Sequence, residues 1–74
     1  MRLIQWLAEN NLTASQLAAT LNTSPVAVGR YIKGARMPTP EIVERIRQVT
    51  GGSVTALDLH DARMEFIRAR SDAA

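Results

Sequence analysis

The sequence contains no cysteine, which excludes a disulfide framework and thiolate metal sites and agrees with a reducing compartment. No apolar run approaches the roughly 18 residues that suggest a membrane span. The opening Met1-Arg2-Leu3-Ile4 lacks the length and cleavage site of a signal peptide, so the expectation is a cytoplasmic protein. Strand-like alternation, internal repeats and low-complexity segments are also missing, which leaves an all-helical reading. The single histidine, His60, has neither a cysteine nor an HExxH-type partner. No nucleophile–base arrangement and no phosphate-cradling loop is visible. Glu41 with Glu44, and Asp58 with Asp61, are carboxylates at helical spacing, which first-turn and capping roles explain without acid–base chemistry. The expectation is therefore no catalysis, no metal, no cofactor and no small-molecule ligand.

The most informative absence is local. Between Glu9 and Glu41 there is no acidic residue, while Arg30, Lys33 and Arg36 all lie there. The other six cations and seven acids leave the remainder of the chain at −1, against a total of +2. A cationic patch on a nearly neutral body suits a polyanion bound through one face. A solvated basic surface is the alternative that charge alone leaves open.

What is present fits a small globular domain. Hydrophobic residues at 46% and charged residues at 22% exclude disorder and a fibrous class. At 74 residues a single core buries only about 60% of the surface of the unfolded chain, so modest stability is expected.

Helix signals recur along the chain. Leu3, Trp6 and Leu7, with Ile4 beside them, form an apolar arc over about residues 2–10, closed by Asn10-Asn11. Trp6 continues the Leu3 stripe and reads as core. Thr13-Ala14-Ser15-Gln16 fits a capping box, followed by Leu17, Ala18 and Leu21 as a buried stripe and Asn22 as a left-handed stop. Ser24 is a good N-cap, Pro25 is suited to the first helical position and Gly34 to the stop, so a third helix spans about residues 25–33. Thr39-Pro40-Glu41 repeats the device, with Ile42, Val43, Ile46 and Val49 carrying a fourth helix to Gly51-Gly52. Thr55, three residues before Asp58, caps a short fifth helix anchored by Leu57 and Leu59. After His60, the pattern of Ala62, Phe66 and Ala69 allows a last helix before a frayed tail at residues 71–74.

Two short helices, a three-residue turn and a basic second helix amount to a helix-turn-helix. The run LTASQLAATLNTSPVAVGRYIKG, Leu12 to Gly34, resembles the helix-turn-helix of the phage Cro and CI repressor class, the XRE-type regulators. Ala18 stands where that motif wants a small residue at the helix crossing, and Leu17, Leu21 and Val28 fill its apolar sites. Tyr31 occupies an aliphatic or aromatic position, Gly34 follows at the expected distance, and MPTPEIVERI is similar to the family's loop and fourth helix. The likeness covers about residues 2–59. It implies a compact all-α bundle of four or five helices and a lambda-repressor-like DNA-binding domain over residues 1–60; beyond it, residues 61–74 read as a C-terminal extension, a candidate dimerisation helix with a frayed tail. Three departures stand out: Asn22 replaces the usual turn glycine, Ala14 replaces a frequent glutamine, and Pro25 and Val26 replace positions that are often polar readers. Fewer hydrogen bonds to bases are then on offer, and lower sequence specificity is expected.

At about 100° per residue, Ser24, Val28 and Tyr31 share the inward face of the third helix, and Val26, Gly29, Arg30 and Lys33 the opposite one. Arg30 is the best base reader, since its planar fork matches the O6 and N7 of guanine. Val26 faces a thymine methyl in this reading, Gly29 allows close approach, and Pro25 and Ala27 complete the base-reading set. Lys33 and Arg36, with Thr13, Thr23 and Ser24 at helix N-termini, are the phosphate set. Ile32 lies on the flank, either completing the core or partly exposed. Met64, Phe66 and Ile67 either pack back on the body or contribute to a two-fold dimer contact. The resemblance implies a homodimeric regulator on double-stranded DNA, most often a repressor, located at the nucleoid. A rival from another class is a helix-turn-helix used for protein contact, as in an antirepressor or antitoxin subunit, which Val26, Ala27 and Ile32 favour by making the third helix less polar.

Overall fold

A computed structural model describes residues 1–73, and side chains through residue 71. Its helices begin and end on local devices. Helix α1, Leu3–Glu9, closes over Asn10 and a left-handed Asn11 at φ 54°. Helix α2, Ala14–Leu21, starts on a complete capping box: the Thr13 hydroxyl accepts from the Gln16 N–H, and the Gln16 side chain accepts from the Thr13 N–H at 2.8 Å. Asn22, at φ 57° and ψ 46°, ends it, and the Thr23 N–H returns to the Ala18 carbonyl at 2.9 Å. Helix α3, Pro25–Lys33, has Ser24 as its cap and Gly34, at φ 79°, as its stop. Helix α4, Pro40–Val49, begins on Thr39.

The fifth element differs from the expectation. Instead of a short helix and a separate last one, a single helix α5 runs Ala56–Ala73, without a break near His60. Thr55 and Asp58 do form its capping box, the Thr55 N–H donating to Asp58 Oδ2 at 2.9 Å and the Asp58 N–H to the Thr55 hydroxyl at 3.3 Å. The helix continues because no glycine, proline or left-handed residue interrupts it. Residues 71–73 belong to it rather than to a frayed tail, and residue 74 lies outside the described residues.

All five elements are α-helices, with no strand among the described residues, so the fold is an all-α bundle. Its core joins Leu3 and Leu7 of α1, Leu17, Ala18 and Leu21 of α2, Val28 and Tyr31 of α3, Ile46 of α4, Val54, and Leu59 of α5. Ala18 is buried where α2 and α3 cross, leaving no space for a larger side chain between them. Trp6 and Ile32 are half-buried against this core, which resolves Ile32 as a core flank. Three apolar residues assigned inward by spacing face solvent instead: Ile4, Val49 and Leu57, the last 65% exposed. For α5 the true anchor is Leu59, 3% exposed, and the second anchor comes from Val54 in the preceding turn. Thr50 ties that turn to α4, its buried hydroxyl donating to the Ile46 carbonyl at 2.8 Å and accepting from the Val54 N–H at 3.1 Å. No helix among the described residues is long and apolar enough to cross a membrane.

Candidate nucleic-acid interface

The inward and outward faces of α3 separate as the helical spacing requires. Val28 and Tyr31 are buried, while Val26 is 64% exposed and Arg30 and Lys33 are exposed on the opposite side. Ser24 belongs with neither set. It is exposed at the helix start, where its hydroxyl accepts from the Ala27 N–H at 3.1 Å. Pro25 is exposed beside it. Ala27 does not join the outward group, because its methyl packs against the core and its N–H is spent on Ser24. The open face of α3 thus consists of Pro25, Val26, Gly29, Arg30 and Lys33, with Arg36 exposed in the loop that follows.

Gly29 lies in the middle of this face. A Cβ built on it meets nothing within 4 Å, so no packing contact inside the protein calls for glycine there. A mid-helix glycine costs about 0.5–1 kcal/mol relative to alanine. That cost has no structural return within the domain, whereas a bare helix surface is what close approach to a groove uses.

The phosphate set divides by what each group already bonds. Thr13 has both its N–H and its hydroxyl engaged in the α2 capping box, and the Thr23 N–H is bound to Ala18. Backbone donors at these two positions are therefore spent, and Thr13 and Thr23 have only their hydroxyl hydrogens to offer. Lys33 and Arg36 are different. Among the described residues, neither they nor Arg30 make a salt bridge or a side-chain hydrogen bond.

Four other arginines are bonded within the fold, while Arg68 and Arg70 of α5 make no hydrogen bond or ion pair among the described residues. Arg2 bonds Glu65 at 2.7 Å, and Arg47 bonds Glu44, whose carboxyl is held below the usual carboxylate range by that hydrogen bond. Arg45, from α4, donates to the Leu21 carbonyl at 3.0 Å at the C-terminus of α2. Arg63, from α5, donates to the Gly34 and Ala35 carbonyls, each at 3.0 Å, just beyond the C-terminus of α3. Each helix of the pair thus ends on a guanidinium supplied by a helix outside it, with positive charge at the negative end of the dipole. Neither contact was read from the sequence, because the partners lie 24 to 29 positions apart and nothing local marks them.

The remaining surface offers little competing chemistry. A shallow cleft of about 150 Å³ between α1, α3 and α5 is lined by Arg2, Tyr31, Lys33, Asp58 and Glu65 among others. Its charges are largely paired already, Arg2 with Glu65 and Asp58 with the Met1 α-ammonium. His60 is exposed, and no cluster of three metal-ligating side chains occurs among the described residues.

The arrangement is a capped helix pair crossing at a small residue, with the second helix presenting cations outward. The helix-turn-helix family model matches residues 3–57, well over half of the chain. The chain belongs to this family, of the Cro and CI type. No curated protein and no solved structure gives a significant match. What family membership supports here is a DNA-binding helix-turn-helix regulator. Within the match, α3 is the second helix of the helix-turn-helix pair, and α5 continues well past the matched residues.

Proposed function

We propose that this helix-turn-helix protein is a sequence-preferring transcription regulator, a repressor, that inserts α3 into the major groove of double-stranded DNA as a homodimer at the nucleoid. The observation that carries the reading is the cationic face of α3: Arg30, Lys33 and Arg36 extend from the helix and its loop with no hydrogen bond or ion pair among the described residues, whereas Arg2, Arg45, Arg47 and Arg63 are bonded within the fold and the remaining two cations, Arg68 and Arg70, lie on the far half of α5. Arg30 is the base reader, with Val26, Gly29 and Pro25 forming an apolar, close-fitting surface beside it. Lys33 and Arg36 neutralise phosphates and position the helix. Repression by blocking polymerase is the mode that the likeness to Cro and CI proteins suggests.

The homodimer is supported by the far half of α5. Ile67 is 38% exposed and Met64 and Phe66 are half-buried, on a helix that extends beyond the family match. Two recognition helices related by a two-fold axis fall about 34 Å apart, in successive major grooves. The deciding experiment is selection of bound fragments from a random DNA pool. An enriched motif with two-fold symmetric half-sites is the expected result, and a pool with no enrichment and no retained DNA at low salt would sink the reading.

One observation favours a protein-contact role, as in an antirepressor or antitoxin subunit: the 64% exposure of Val26, an apolar side chain at the start of α3. Salt separates the two readings. Binding through phosphates weakens steeply as salt rises, because counterions are released on association.

A further inference from the structure

We propose that Arg63 is a positioning residue for DNA binding: from α5 it holds the backbone that ends α3 and leads into Arg36, and so sets where the phosphate-binding cations stand. The inference rests on the DNA-binding reading above. One nitrogen of the Arg63 guanidinium donates to both the Gly34 and the Ala35 carbonyl oxygens, at 3.0 Å each. The Ala35 carbonyl belongs to the same peptide plane as the Arg36 nitrogen. Holding that plane fixes where the Arg36 Cα stands, and so the point from which its side chain reaches outward. The preceding residue, Gly34, lies directly against the Ala62 backbone, so the loop rests on α5 with no side chain between them.

Arg63 is itself held from the other side. Its guanidinium lies over the Phe66 ring, 6.0 Å from the centroid, and Arg70 shares that ring at 5.7 Å. A planar head fixed between an aromatic ring and two carbonyls has little rotamer freedom left, which suits it to hold a loop rather than to follow one. Arg36 is exposed and without a partner among the described residues, so its own contacts within the fold do not orient it. Lys33, in the last turn of α3, ends the same segment. Phe66, the ring under Arg63, also lies in the half of α5 that supports the dimer reading, so that half and the loop that leads into Arg36 are joined through Arg63.

The test is a double-variant cycle on a fragment selected by the wild-type protein: Arg63→Ala, Arg36→Ala and both together, titrated by fluorescence anisotropy over a salt series. If Arg63 acts through Arg36, Arg63→Ala weakens binding roughly tenfold, and the slope of log affinity against log salt shrinks by about 0.9, one phosphate contact. Adding Arg36→Ala then costs no more than about another twofold, since the contact is already lost. Circular dichroism at the titration temperature shows whether Arg63→Ala is folded. If it is not, the cycle is run with Arg63→Lys, which keeps the charge and stem without the planar head and is expected to show the same non-additivity, only smaller. A purely structural role would lower Tm without changing the salt slope of the folded protein. Additive losses in either cycle, or an unchanged slope in folded Arg63→Ala, overturn the proposal. A wild-type protein that binds no DNA at low salt sinks the DNA reading itself, whereas wild-type binding with additive variants sinks only the role of Arg63.

Discussion

Gly34 and Ala62 meet backbone to backbone: a methyl group at Gly34 would overlap the Ala62 carbonyl, with no flexible side chain to move aside. Gly34 is also left-handed, at φ 79°, a conformation that costs an L-residue about 1–2 kcal/mol. The two penalties act together in Gly34→Ala, and the loss of stability should be at least about 2 kcal/mol, the strain alone accounting for half or more. For a domain of this size that corresponds to a fall in Tm of about 10 °C. Thermal unfolding by circular dichroism checks it, and an unchanged Tm would mean that α3 and α5 do not approach this closely.

Gly29 is the opposite case on the same helix. Its Cβ position is open, so Gly29→Ala should raise stability by about 0.5–1 kcal/mol through better helix propensity. The same methyl stands on the exposed face of α3, and affinity for DNA should fall while Tm rises. The pair of measurements separates function from folding. A variant both more stable and equally tight on DNA would remove Gly29 from the interface.

The helix pair was legible in the sequence because its signals are short-range. Thr13, Ser24 and Thr39 each cap a helix through a backbone group three positions on, and Asn22 and Gly34 stop one through their own φ. Helix α5 was not legible in the same way. Its inward face runs Leu59, Ala62 and Arg63, so a guanidinium stands where an apolar stripe would continue, and a neighbouring Leu57 offers a false anchor. Val54 and Thr50 are buried in a turn, where no periodicity marks them. On the interface, spacing sorted Arg30 from Tyr31 correctly, but it could not show that Ala27 turns to the core or that the Thr13 and Thr23 amides are already bonded.

Arg30 and Lys33 should behave differently although both are exposed cations. Arg30→Ala should cost about 1–3 kcal/mol on the selected site and relax preference at one base pair. Lys33→Ala should weaken binding to all sequences alike and reduce the salt slope by about one contact. Competition with scrambled DNA distinguishes them. Equal affinity of wild type and Arg30→Ala for the selected site would remove Arg30 as a reader.

Acid should loosen the start of α5. Partial burial raises the Asp58 carboxyl, but the Thr55 N–H, the Met1 α-ammonium and the Thr55 hydroxyl together outweigh it and hold the group below its ordinary value. A carboxyl lowered in the folded state binds protons more readily when unfolded, so its contribution is present above about pH 4 and is lost as pH falls through the depressed folded value. The wild-type Tm should therefore decline as pH drops from about 5 to about 3, and Asp58→Asn should decline less. At pH 7 the variant should be the less stable of the two, and the curves should converge in acid. Parallel curves across that range would mean that Asp58 carries no such linkage.

Val26 gives the most direct chemical test of how α3 meets DNA. It stands at the second position of the helix, largely exposed, after a proline that has no N–H to offer, so this end of the reading face presents apolar surface where a hydrogen-bonding reader would otherwise sit. The apolar group that a base presents in the major groove is the thymine methyl. Covering one such group is worth about 0.8 kcal/mol, which corresponds to about fourfold in affinity. Replacing single thymines by deoxyuridine in the selected site should therefore weaken the wild-type protein about fourfold at one position in each half-site and leave the others unchanged. Val26→Ala should bind the thymine site more weakly and lose most of that discrimination, while Arg30→Ala should keep it. Indifference of the wild-type protein to every thymine-to-uracil change would assign the exposed valine to something other than base reading, and would strengthen the protein-contact alternative at its most specific point.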